Sequence, residues 1–203
     1  MVQDTRRIPP SRTTMLARSV PPTRYGRMAL LSSCGLMLFL FVPGLACIGA
    51  ELFVAVQSRP LFALFCAVCA VVFAIPHFLV ILWLDRNERE PAYLIGTALF
   101  WGAVMATGTS SIINTISGLV FLNYTRNQAM ADQLMASLSA PPVEEITKGL
   151  ALVFIYLFFT KEMDSILDGI IYGALVGLGF AVFENFHYYF TYGAAAEDPS
   201  QSV

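Results

Sequence analysis

Of 203 residues, 57% are apolar and 13% charged, and several apolar runs exceed the roughly 18 residues that mark a transmembrane helix. The chain reads as all-α and polytopic, a transmembrane helical bundle of about five spanning helices. Net charge is −2, with no basic, aromatic-interleaved stretch to suggest a nucleic-acid partner. Cys34, Cys47, Cys66 and Cys69 all fall in the first two apolar runs and imply no disulfide framework. Cys66 and Cys69 have the spacing of half a metal site but no second pair.

Residues 1–27 hold six arginines among Pro, Ser and Thr and read as a basic, disordered cytoplasmic tail. The run 28–56 is too long for a signal-peptide core and reads as an uncleaved first span, with a kink expected at Pro43-Gly44. Glu51, near its outer end, is expected to be an interfacial residue, since charge is cheap there. A second span, 61–84, returns to the cytoplasm and carries His77 as a packed or hydrogen-bonded core residue. The loop Asp85-Arg86-Asn87-Glu88-Arg89-Glu90-Pro91 is dense in charge, as a cytoplasmic loop should be.

The third run, 93–122, is longer than one crossing needs and has a polar middle, Thr107-Gly108-Thr109-Ser110-Ser111, which predicts a tilted or broken helix. Its hydroxyls either line a water path or bond neighbouring helices. Met130, Leu134 and Leu138, at steps of four, predict a short interfacial helix on the outer side. Two further runs, 143–159 and 166–190, are joined by only Thr160 to Ser165 and so form antiparallel neighbours. A polar tail, 191–203, closes the chain on the outside.

Ionisable residues sit inside this last hairpin: Glu144, Glu145 and Lys148 in its first arm, Glu184 and His187 in its second. Counted from the shared turn at 1.5 Å per residue, Glu144 and Glu184 both lie roughly 24 to 28 Å away, in the far third of a hydrocarbon core about 30 Å thick. Gly169, Gly173 and Gly177 recur every four residues on the face that carries Phe180, Glu184 and His187, which predicts close approach of a neighbouring helix there. Glu144 and Lys148 share a face at i and i+4, with Glu145 turned about 100° away.

Paired carboxylates at one depth, with a lysine one turn off, suit the deprotonation of a water and hence hydrolysis. A plainer reading stands beside it: prolines open helices and acidic residues favour the first turn, so Pro141-Pro142-Val143-Glu144-Glu145 also fits a simple helix start at an interface. Buried carboxylates also serve proton relays.

Glu144-Glu145-x-x-Lys148 preceded by Ala140-Pro141-Pro142, with Phe180-x-x-x-Glu184-Asn185 following Asp168-Gly169-Ile170-Ile171-Tyr172-Gly173, resembles the PrsW family of intramembrane proteases, relatives of the CAAX prenyl protease and bacteriocin-processing group. The charged loop at 85–91 resembles that family's as well. The resemblance implies a multi-pass cell-membrane protein, mostly bacterial, that cleaves membrane-anchored proteins such as anti-sigma factors. It implies Glu144 as general base, Glu145 as its pair, Lys148 as the basic partner and Glu184 as the second group on the water. Either a divalent metal such as zinc, held by Glu144, Glu184 and His187, or a metal-free glutamate mechanism is compatible with these motifs. The family continues into a third, histidine-headed motif, and this chain ends before it, so a truncated or catalytically inactive, partner-binding relative is the alternative to an active protease, with a proton or ion transporter behind both.

Overall fold

In the computed structural model the backbone is described for residues 24–86 and 89–197 and the side chains for 41–86 and 89–193. Residues 1–23 of the expected tail, the centre of the charged loop and the last six residues lie outside these. Two compact units, Met1–Phe39 and Leu40–Val203, divide the chain. The first contributes the helical turns from Arg24 onward, and every contact below belongs to the second.

Five helices and no strand make up the described residues. They are α1 (Arg24–Ser58), α2 (Pro60–Leu84), α3 (Ala92–Thr125), α4 (Gln128–Leu134 continuing through Met135–Ser139 to Ala140–Phe158) and α5 (Ile166–Glu197). Among the described residues, four helices are long and apolar enough to cross a membrane: Phe41–Ser58 of α1, all of α2 and α3, and Ile166–Gly193 of α5. The second half of α4 differs because Glu144, Glu145 and Lys148 fall within nineteen residues. Helix α5 runs to Glu197, into the stretch expected to be a polar tail, and α1 begins at Arg24, inside the expected basic tail.

Local chemistry sets these boundaries. Pro60 opens α2 at a position where no backbone N–H is needed. Arg126, in the left-handed conformation with φ of 55°, closes α3, and the Asn127 side chain accepts from Met130 N at 3.2 Å to start α4. The expected interfacial helix is therefore the opening of a longer one. Pro141 and Pro142 donate no hydrogen bond to the preceding turn, and the helix widens to a π turn over Met135–Ser139 just before them. At the turn between α4 and α5, Ser165 Oγ accepts from Asp168 N at 3.2 Å while Asp168 accepts from Ser165 N at 2.8 Å, a reciprocal cap that starts α5.

Helix α5 is the hub, packed against α2, α3 and α4. Ile48 and Ala55 of α1, Cys66 and Ala70 of α2, and Phe183 and Phe186 of α5 form one buried apolar cluster. Cβ atoms added at Gly102 or Gly179 would lie 1.9 Å from Val176 O and 2.0 Å from Leu99 O, so α3 and α5 meet backbone to backbone at these two glycines. Gly108 and Gly44 bring α3 and α1 together in the same way, with 2.4 Å from an added Cβ to Gly44 O. The expected stripe at Gly169, Gly173 and Gly177 is not the close seam: added Cβ atoms there meet at most the ends of Met163 and Leu152 side chains. Its spacing is right for one helix face, but the partner backbones lie on the face of Gly179. His77 is likewise not in the core; it is exposed and its ring meets Phe73 O of its own helix at 3.0 Å.

Candidate active site

Helix α3 is continuous but widens into a π turn at Trp101–Ala106, immediately before the polar stretch that predicted a break. Thr107 Oγ1 donates to Gly102 O at 2.9 Å and Ser110 Oγ donates to Ala106 O at 2.7 Å, so these hydroxyls stabilise the widened turn. Trp101 leaves it to donate from Nε1 to Thr147 O on α4 at 3.1 Å, and its ring stacks on Phe154 with centroids 5.5 Å apart. Thr147 in turn donates through Oγ1 to Glu144 O at 2.9 Å. This chain of contacts fixes the rotation of α4 one turn beyond Glu144.

With that rotation set, Glu144 and Glu145 of α4 and Glu184 and His187 of α5 line one cavity of about 530 Å³. Thr107, Ser111 and Asn114 of α3 give it a polar back wall, and the π turn of α4 adds Met135 and Ala136. Of the two roles left open by its sequence, the bonds to neighbouring helices are not made by Thr107 and Ser110, whose hydroxyls bond carbonyls of their own helix, while Thr107 and Ser111 line the cavity. Glu184 and Glu144 are half-buried and within electrostatic reach of each other.

Lys148 makes its shortest contact with Glu145, at 2.8 Å, and stands 3.8 Å from Glu144. Its Nζ also lies 4.0 Å from the centroid of the buried Phe180 ring. The ammonium is held between two carboxylates and an aromatic face. The 100° offset of Glu145 is absorbed by the length of the lysine, and Glu145 itself is 75% exposed.

The first-span glutamate departs from expectation. Glu51 lines the same cavity and accepts from His187 Nδ1 at 3.2 Å, linking residues 136 positions apart. It is a member of the site rather than a bystander at the interface. Ile48 and Ala55, at i−3 and i+4 from it, lie on the buried face of α1, a face that an all-round apolar run does not mark in the sequence.

Among the described residues, no three of His, Cys, Asp and Glu converge to hold a metal ion. Glu144, Glu184 and His187 line one cavity without converging on a common point, and Glu144 sits 3.8 Å from Lys148. This donor set does not fit the three protein ligands of a catalytic zinc, and no step is routed here through a metal.

Fold and site together define a polytopic helical membrane protein with carboxylates from separate helices facing a polar cavity. Residues 90–202 match the PrsW family, described as "PrsW family intramembrane metalloprotease", and the chain belongs to that family. It is 29% identical over 112 residues to Protease PrsW of Bacillus subtilis (strain 168), an alignment that covers 54% of this chain and 46% of that protein. The chain therefore spans about half of that relative's length. No solved structure matches it. The helices and the Bacillus relative together make it a bacterial membrane protein.

Proposed function

We propose that this chain is an intramembrane protease that hydrolyses a peptide bond of a membrane-anchored protein, such as an anti-sigma factor, with a water activated by glutamate near the outer face of the membrane. The observation that carries this reading is the convergence of Glu144 and Glu184, from two helices, on one polar cavity inside an otherwise apolar bundle. A carboxylate at that depth is costly unless it serves a site.

Glu144 acts as general base: it takes a proton as the water oxygen bonds the scissile carbonyl carbon. Glu184 accepts the water's other hydrogen and aims the oxygen. Lys148, fixed over Phe180, places positive charge beside Glu144 and opposes the upward push of burial on its carboxyl, while Glu145 anchors the lysine. The hydroxyl and amide wall of Thr107, Ser111 and Asn114 keeps the cavity wet in a region otherwise closed to water.

The test uses the full chain in liposomes with a single-span reporter protein. Glu144→Gln and Glu184→Gln should each lower kcat by about 100-fold or more, as expected for loss of a general base, with the melting temperature in detergent unchanged. Cleavage at the wild-type rate in the Glu184→Gln variant would overturn the assignment. Binding of the reporter without any product from the wild-type protein would identify a partner-binding relative instead.

A further inference from the structure

The Glu51–His187 contact joins α1, which lies outside the residues matched by the family, to the helix that carries Glu184. We propose that Glu51 is a positioning residue of the site, holding the His187 ring at the cavity wall with Nδ1 donating to Glu51 and Nε2 left to the cavity. The inference rests on the protease reading above, and adds to it a group from the first span.

Three observations support it. An ionised carboxylate only accepts, so in the 3.2 Å bond Nδ1 is the donor and Nε2 is the nitrogen left for the cavity. Glu51 lies on the packed face of α1, with Ile48 and Ala55 beside it buried to 4% and 2% exposure. Both side chains also line a second, apolar recess of about 340 Å³ with Val54, Ala55, Phe186 and Phe190. Of the residues lining that recess and the polar cavity, the two spaces share Glu51 and His187 alone, so the pair is the wall between them.

His187 lies one helical turn beyond Glu184 on the same wall. In peptide hydrolysis the attacking water loses a proton as its oxygen bonds the carbonyl carbon, and the amine nitrogen takes one as the C–N bond breaks and leaves it the electron pair. Glu144 takes the first proton and returns it to the amine, while Nε2 of His187, held beside Glu184, accepts a hydrogen bond from the scissile amide N–H. A ring free to flip would present either nitrogen, and Glu51 removes that choice.

The experiment follows both the ring and the reaction. The chain has two histidines, so imidazole-15N-labelled full-length protein gives two ring signals, with His77 assigned through His77→Gln. In the wild type, Nδ1 of His187 should be protonated. In Glu51→Ala it should lose that proton to Nε2, and kcat on the liposome reporter should fall about 10- to 100-fold with KM unchanged. Glu51→Gln, whose amide oxygen still accepts, should restore the Nδ1 proton and most of kcat. A purely structural role predicts the reverse pattern: a lowered melting temperature with kcat per folded protein intact. That result, or an Nδ1 still protonated in Glu51→Ala, overturns the proposal. If the wild type cleaves nothing, the protease reading fails, and the nitrogen spectra alone decide the Glu51–His187 contact.

Discussion

Both ends of the helical bundle collect acidic residues, and they treat them in opposite ways. At the loop end, Asp85 and Asp168 are 4% and 5% exposed and are met by backbone and hydroxyl donors: Asp85 accepts from Glu90 N at 3.0 Å, and Asp168 accepts from Asp164 N, Ser165 N and Ser165 Oγ at 2.7 to 3.0 Å. The Tyr172 hydroxyl, on a fully buried side chain, donates to Glu90 and ties the loop to α5. At the cavity end, Glu51, Glu144 and Glu145 are 31%, 28% and 75% exposed and are balanced by cationic or protonatable side chains, Lys148 and His187. Backbone and hydroxyl donors at the loop end hold a helix start and a loop. Half-open carboxylates beside charged side chains at the cavity end leave lone pairs for something that arrives. Acidity alone does not mark the site; unspent hydrogen-bonding capacity does.

Substitutions at the two ends should therefore separate activity from stability. The largest effect is that of Glu184→Gln, whose roughly 100-fold or greater loss of kcat should come without a change in melting temperature. Asp168→Ala should do the opposite. It removes a carboxylate that accepts three hydrogen bonds and half of a reciprocal cap, and should lower unfolding stability by about 2 to 3 kcal/mol, measured by denaturant unfolding in detergent, while kcat per folded molecule stays near wild type. Tyr172→Phe leaves Glu90 without its hydroxyl donor and should cost about 1 kcal/mol in the same assay. A kcat loss in Asp168→Ala with stability intact would break the distinction between the two ends.

The parts of this arrangement legible in the sequence are those set by one helix or one tight turn. Counting outward from the 160–165 turn puts Glu144 and Glu184 at one level because the helical rise is constant and a six-residue connection forces antiparallel arms. The polar centre of α3 advertised an irregularity because Thr, Gly and Ser weaken a helix locally, and the π turn lies directly before it. What stayed hidden depends on which faces meet. The backbone seams at Gly102 with Gly179 and at Gly44 with Gly108 use single glycines whose importance comes from the opposing helix, not from a repeat along their own. The same holds for Glu51 with His187 and for Glu90 with Tyr172, pairs separated by 136 and 82 positions. His77 was misplaced for a related reason: a histidine in an apolar run suggests a buried partner, yet its ring finds the Phe73 carbonyl one turn back and needs no neighbour.

The smallest effect belongs to Glu90, and its sign tests whether charge holds the loop end. Burial pushes the Glu90 carboxyl above the ordinary glutamate range; the Tyr172 hydroxyl bond works against this, and the nearby Asp168 charge adds to it. A carboxyl whose folded value is raised binds more protons in the folded state than in the unfolded one over the interval between the two values. Stability therefore declines as pH rises from about 4.5 through that interval, and the contribution is fully present only below it. Glu90→Gln stays neutral throughout and should flatten this part of the profile, leaving the variant the more stable protein at neutral pH. Thermal unfolding in detergent across pH 4 to 8, wild type against Glu90→Gln, measures this directly. A wild-type profile that instead gains stability through that window, with the gain absent from the Gln variant, would mean that Glu90 is ionised and stabilising. The loop end would then be held by charge, as the cavity end is.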